Sequence, residues 1–371
     1  MIGSLRGRLN EAGRIVVKIG SSSLTREDGG LDLNRIDSVA RLVARWRTPG
    51  KEILIVSSGA VAAGLDPLGF FSRPRDLASV QAAAAMGQGL LVARWQAAFQ
   101  AHHLDVAQLL LTTEDVMLRQ HYTNVRASID RLLGLGVVPI INENDAVTTR
   151  EVRFGDNDRL ASYMAQMVAA DALVLLTDVD GLYTAPPSHP GSELIREVTS
   201  TDQLHSVLVT GAASKIGSGG MVTKVQAATM AASSGIGVVL ASADHLGEVL
   251  SGEDVGTWFE PSSVRPASRR LWIAHAAPAR GEVIVDEGAS RAITRGKKSL
   301  LAAGVTCVIG HFDSGEVVDI AGPTGLLGRG IVSYDSDTIA QMAGQSAADL
   351  RLAGWAHPKP VVHRDDLAPL L

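Results

Sequence analysis

The sequence predicts an α/β protein, a three-layer α/β/α sandwich around a mostly parallel sheet, followed by a small all-β barrel. Three observations carry that expectation. Short β-rich runs alternate with longer helical patterns through the first two-thirds of the chain. Those runs are apolar nearly throughout instead of alternating, the pattern of strands buried on both faces of a parallel sheet. Near Pro261 the rhythm changes to short strands divided by Gly-containing turns, the spacing of a small barrel or sandwich.

The predicted strands are Arg14 to Ile19, Glu52 to Val56, Asp105 to Leu110, Val137 to Ile141, Ala172 to Leu176 and Gly237 to Ala241. Helical patterns fill the intervals. Asn34 can cap a helix that runs through Trp46 and stops at Pro49-Gly50. Ser79 to His102 reads as one long Ala-rich helix, or as two separated near Gly87 and Gly89, and Asn157 to Ala169 reads as another. The stretch PSSVRPASRR from Pro261 has the proline, serine and arginine content of a linker. Beyond it, GEVIVDEG, GVTCVIGHF, GEVVDIAG and GRGIVSY supply the strands of the barrel. The expected organisation is a domain over 1–260, a linker over 261–279, a β domain over 280–358 and a tail over 359–371.

Composition narrows the class. With 371 residues, 46% of them apolar and 20% charged, the chain has ample material for a core and ordinary globular content. A net charge of −5 argues against an electrostatically driven nucleic-acid binder. The one cysteine, Cys307, cannot form an internal disulfide, which suits a reducing cytoplasm. The first twenty residues lack the apolar run of a signal peptide, and no apolar stretch is long enough to span a bilayer. Membrane, secreted and disordered classes are thereby excluded.

In a parallel sheet flanked by helices, ligands bind outside the carboxyl ends of the strands. Five polar clusters sit where that rule asks. Lys18-Ile19-Gly20-Ser21-Ser22 can present an ammonium and backbone N–H groups to a phosphate, although alone Lys18 reads equally well as a surface lysine beside a turn. Ser57-Ser58-Gly59-Ala60 places small residues at a strand-to-helix junction, where Ser58 could also be a helix cap. Asn142-Glu143-Asn144-Asp145 follows buried apolar residues, and such polar groups are costly unless paired or facing a ligand. Close behind, Gly155-Asp156-Asn157-Asp158 opens a helix, where either aspartate could be an N-cap. Thr177-Asp178-Val179-Asp180-Gly181 could frame a nucleotide. Gly217-Ser218-Gly219-Gly220-Met221-Val222-Thr223-Lys224 puts glycines and hydroxyls at a helix N-terminus, a ready anion site. Each of the last two also reads as a Gly-containing turn without a ligand. No G-x-x-x-x-G-K-[ST] occurs, the His363-Arg364-Asp365-Asp366 run lacks the rest of a protein-kinase site, and no Cys/His grouping has zinc spacing.

In this order the clusters resemble the amino acid kinase superfamily, over residues 14 to about 260. The pair INENDAV at 141–147 and GDND at 155–158 resembles more narrowly the branch that phosphorylates glutamate. From about Gly281 to Asp349, VDEGASRAI, KSLLAAGV and RGIVSYDS resemble a PUA domain. Departures exist: KIGSS, SSGA and GSGG carry serine where threonine is commoner, and TAPP after Tyr183 lacks the usual aspartate before the proline. The serine swaps keep the hydroxyl, whereas the missing aspartate touches the nucleotide side.

The resemblance implies transfer of the ATP γ-phosphoryl group to the side-chain carboxylate of L-glutamate, giving L-glutamyl 5-phosphate, the first step of proline synthesis. That carboxylate is already ionised at neutral pH, so no general base is needed. Positioning and cationic screening must do the catalysis. By resemblance, Lys18 and Lys224 flank the transferring group, helped by Mg²⁺, and Asp158 holds both lysines. Ser58, Gly59, Asn142, Asp145, Asp156 and Asn157 match glutamate-binding positions, with Asp145 suited to the α-ammonium. Lys18, Gly20, Thr177, Asp178, Ser218, Gly219, Gly220, Met221, Val222, Thr223 and Lys224 match nucleotide positions. Feedback inhibition by proline, a homo-oligomer (a tetramer) and handover of the labile acyl phosphate to glutamyl phosphate reductase are further implications. PUA domains often bind RNA, but residues 281–371 hold 8 Lys+Arg against 11 Asp+Glu, which argues against a phosphate footprint despite the local basic group Arg291, Arg295, Lys297 and Lys298.

Overall fold

The structure, a computed structural model, describes residues 9–26, 30–148, 157–200, 203–204, 220–263, 273, 279–294 and 298–369. Two compact units emerge, one of Met1–Val116 with Gln120–Arg265, the other of Pro266–Leu371 with Met117–Arg119. Most of the expected linker lies outside the described residues. Among the described residues, no helix is long and apolar enough to cross a membrane.

The strands of the first unit are β1 (Arg14–Ile19), β2 (Glu52–Ser57), β3 (Val106–Leu111), β4 (Val138–Glu143), β5 (Ala172–Thr177), β6 (Glu197–Val198), β7 (Gly237–Ser242) and β8 (Thr257–Phe259). They form one sheet in the order β3-β4-β2-β1-β5-β7-β8-β6. Every pairing is parallel except β7 with β8. The six longer strands lie within a residue or so of their predicted positions. Strands β6 and β8 escape sequence reading because two or three residues show no period. Chain order runs from β1 to β2 on one side and to β5 on the other, so the topological switch point, and the crevice that goes with it, falls at the carboxyl end of β1.

Helices cover both faces: α1 (Ser21–Leu24), α2 (Leu33–Trp46), α3 (Ala60–Leu65), α4 (Leu77–Gln100), α5 (Thr113–Met117), α6 (Arg119–Gly134), α7 (Asn157–Met167), α8 (Met221–Ser233) and α9 (Leu246–Ser251). On one face Ile15, Val17 and Ile19 of β1 join Val39, Val43, Leu91, Trp95 and Phe99 in a continuous core. Alternation along the strand sends Lys18 to the opposite face, where α7 and α8 pack. The cap of α2 is Asp32, whose side chain accepts from the Arg35 N–H at 3.0 Å, and not Asn34, which lies inside the first turn. Helix α4 is a single helix. Gly87 does not break it; a Cβ there would stand 1.8 Å from the Ala60 carbonyl oxygen, and one on Gly64 1.9 Å from that of Ala83. Two glycines thus let α3 and α4 cross backbone to backbone.

The second unit holds a five-stranded sheet ordered β10-β9-β11-β12-β13. Its strands are β9 (Glu282–Val285), β10 (Val305–Ile309), β11 (Val317–Gly322), β12 (Gly325–Val332) and β13 (Val362–Pro369). Among the described residues three short helices, Glu287–Thr294, Ser336–Met342 and Ala347–Leu352, accompany them around a core that includes Val283, Ile293, Val318, Ile320, Ile339 and Val362. The expected tail over 359–371 is corrected here, because Val362–Pro369 pairs antiparallel with β12. Its charged run His363-Arg364-Asp365-Asp366 hides the strand pattern and suits an edge strand, where charge discourages pairing with another chain.

Candidate active site

The site is built at the carboxyl edge of the first sheet. Strand β1 carries Lys18 in register with Val56 and Leu175, which leaves its side chain 2% exposed. A buried ammonium needs a counter-charge. Asp158, in the first turn of α7 and fully buried, supplies it, with Lys18 Nζ 2.5 Å from Asp158 Oδ1. Lys224, in the first turn of α8, reaches the same carboxylate with Nζ 3.1 Å from Oδ2. The Thr223 hydroxyl lies 3.5 Å from that oxygen and donates to the Gly220 carbonyl at 2.8 Å. Two ammonium groups from separate segments therefore converge on the Asp158 carboxylate. Asp158 is not a helix cap.

A second group adjoins it through the neighbouring residue. Asn157 Nδ2 donates to Ser58 Oγ at 2.9 Å, to the Ser57 carbonyl at 3.2 Å and to Asn142 Oδ1 at 2.9 Å. Ser58 does not cap α3; Gly59 occupies that position with φ of 101°, a left-handed conformation that favours glycine. Ser57, buried behind Ser58, accepts from Trp95 Nε1 at 3.0 Å, a tether that the sequence reading missed. Its signal was there: Trp95 falls on the buried stripe of α4 with Leu91 and Phe99, and a buried indole N–H calls for an acceptor. Asp145 lies half-buried in the turn after β4.

On the nucleotide side, Thr177 ends β5 and its hydroxyl donates to Asp178 at 2.9 Å. Gly20 follows β1 beside the Lys18 ammonium, where a Cβ would stand 3.6 Å from Lys18 Nζ, in ordinary contact. Gly220 is the N-cap of α8 with no side-chain cap, which leaves the Met221 and Val222 end of the helix able to meet an anion. Asp156, Ser218 and Gly219 lie outside the described residues.

A model of the amino acid kinase family matches residues 13–242. The chain belongs to the amino acid kinase family. A PUA domain model matches residues 281–352 of this amino acid kinase. The glutamate 5-kinase of Bifidobacterium longum (strain DJO10A) is 51% identical over 366 residues, covering 98% of this chain and 97% of the relative. The glutamate 5-kinase of Salinispora arenicola (strain CNS-205) is 50% identical over 369 residues, covering 99% and 100%. Among solved structures, carbamate kinase from Giardia lamblia bound to AMP-PNP aligns with a TM-score of 0.50 at 17% identity, over 68% of this chain and all of that one, a likeness of fold.

Proposed function

We propose that this amino acid kinase transfers the γ-phosphoryl group of ATP to the side-chain carboxylate of L-glutamate, giving ADP and L-glutamyl 5-phosphate. One observation carries the mechanism: Lys18 and Lys224 meet at Asp158 at the carboxyl edge of the sheet. Glutamate and triphosphate are both anions, and their repulsion opposes reaction more than any lack of nucleophilicity does. An ionised carboxylate needs no base, so rate must come from alignment and from positive charge placed where negative charge gathers in flight.

Lys18 and Lys224 supply that charge, and Asp158 holds both side chains in place. The N-terminus of α8 and the Thr177-Asp178 pair take the nucleotide. Ser58, Asn142, Asn157 and Asp145 take glutamate, with Asp145 complementary to its α-ammonium. Among the described residues no group of three or more His, Cys, Asp or Glu side chains is arranged to hold a metal ion. Mg²⁺ would come with the nucleotide, held through phosphate oxygens and water, and would neutralise phosphate charge there.

Proline as feedback inhibitor, a homotetramer, handover of the acyl phosphate to a reductase and a cytoplasmic location complete the proposal. The test is ATP-dependent hydroxamate formation from glutamate in the presence of hydroxylamine, with and without proline. Product that requires both ATP and glutamate supports the reading. Hydroxamate from aspartate or acetylglutamate in preference to glutamate overturns the substrate assignment.

A further inference from the structure

Gln88 belongs to none of the clusters above, yet it is buried, 5% exposed, on the face of α4 turned toward β3 and β4. Its Nε2 donates to the Glu143 carbonyl at 3.3 Å. Its Oε1 accepts from Gln108 Nε2 at 3.0 Å and from Asn142 Nδ2 at 3.4 Å. Asn142 Oδ1 in turn accepts from the Glu143 N–H at 2.9 Å and from Asn157 Nδ2 at 2.9 Å. Asn157 Oδ1 is buried and accepts no hydrogen bond from the described residues.

The direction of this chain is fixed, because each amide touches a backbone group whose role cannot reverse. A backbone carbonyl only accepts, so Gln88 must offer Nε2 to Glu143 and Oε1 to Asn142. A backbone N–H only donates, so Asn142 must offer Oδ1 to Glu143 and to Asn157. The Ser57 carbonyl likewise claims Asn157 Nδ2. What remains at the end of the relay is an acceptor oxygen. The one hydrogen-bond donor on glutamate with both carboxylates ionised is its α-ammonium.

We propose that Gln88 is a positioning residue for substrate: by bridging Asn142 to the Glu143 carbonyl it holds Asn142 against Asn157, so that the Asn157 oxygen is kept aimed at the substrate ammonium. The proposal rests on the glutamate reading and deepens it. Gln88 touches neither reacting group, so its loss acts on glutamate affinity and leaves the phosphoryl-transfer machinery alone. Without it, Asn142 Nδ2 loses its acceptor and the Asn142 side chain keeps only the contacts made through its oxygen, so Asn157 is held less firmly.

Steady-state kinetics of the full chain test this with two variants. Gln88→Met keeps volume and removes both polar ends; it should raise the glutamate KM about tenfold, with kcat and the ATP KM held within about twofold. Gln88→Glu restores the pattern only as the neutral acid, which has one donor and one acceptor, and burial raises the pKa of such a carboxyl. Its glutamate KM, taken as a ratio to wild type at each pH, should fall toward one as pH is lowered. A merely structural residue gives no such pH-dependent rescue. Unchanged glutamate KM in Gln88→Met, equal damage to both substrates' kinetics, or a pH-independent ratio in Gln88→Glu overturns the role. If Gln88→Met does not fold, the Gln88→Glu profile decides alone. A wild-type chain that makes product from ATP but not from glutamate sinks the substrate reading instead, which keeps the two failures distinct.

Discussion

The two edges of the first sheet handle charge in opposite ways. At the amino edge, Arg14 opens β1 and spends its guanidinium on Glu52 at 2.7 Å, Asp130 at 2.8 Å and the Val168 carbonyl at 2.7 Å. Asp171 nearby accepts from the Gly13 and Arg14 N–H groups, both at 2.9 Å. Burial works against the Arg14 charge, but the hydrogen bond and charge of Glu52, then those of Asp130, raise its pKa above the ordinary arginine value. One cation meets two carboxylates, partly in contact with water. At the carboxyl edge, four residues further along the same strand, Lys18 is almost fully buried and shares the Asp158 carboxylate with Lys224. The amino edge is arranged to tie strands and a helix together; the carboxyl edge gathers positive charge where a polyanion can use it. Among the described residues, one cation facing two carboxylates marks the amino edge, and two ammonium groups meeting at Asp158 mark the proposed active site.

The sharpest way to break this comparison is Asp158→Ala, which leaves the buried Lys18 and the half-buried Lys224 without the carboxylate they share. It should cost about 3–5 kcal/mol of stability and abolish turnover; thermal unfolding alongside the hydroxamate assay checks both. Next comes Lys224→Ala, expected to lower kcat by about 10² or more, equivalent to ~3 kcal/mol of transition-state stabilisation. A steady-state assay that found only a raised glutamate KM would remove Lys224 from that role.

Gly87→Ala separates scaffold from chemistry at the same edge. Its Cβ would collide with the Ala60 carbonyl and force α3 and α4 apart, costing roughly 2–3 kcal/mol by denaturant titration. Asp145→Ala should raise the glutamate KM about tenfold, or ~1.4 kcal/mol, with kcat little changed; unchanged values of both would take it out of the site. The smallest effect belongs to the amino edge. Arg14→Met should lower stability by about 1 kcal/mol, since its partners are partly solvated, and leave kcat and both KM values as they were. A large kinetic effect there would erase the distinction between the edges.

Much of the fold was readable because it rests on local, periodic signals. Val16, Leu54, Ile140 and Val174 lie in runs too apolar for one-sided strands, and the polar residues that follow them stop where the strands stop. The all-parallel centre of the sheet follows from that alone. What failed to show was short or masked by charge: β6 and β8 are too brief for a period, and β13 carries four charged or titratable residues in its middle. The cap of α2 fell to Asp32 because capping depends on which side chain reaches the third N–H, a question of geometry that adjacent Asp and Asn residues leave open.

The site divides along the same line. Sequence by itself determined which residue types gather beyond the strand ends, because a buried strand cannot carry such polar groups without a partner. It could not decide who pairs with whom. That Asp158 answers to Lys18 and Lys224 together, while its neighbour Asn157 answers to Ser58 and Asn142, depends on how α7 and α8 are set against β1. The positions of Trp95 and Gln88 behind the site were equally beyond reach of local pattern, since both sit on one helix among alanines. Long-range packing brings their polar atoms to the strand ends, and only in the folded chain does a hydrogen bond between residues 54 apart exist.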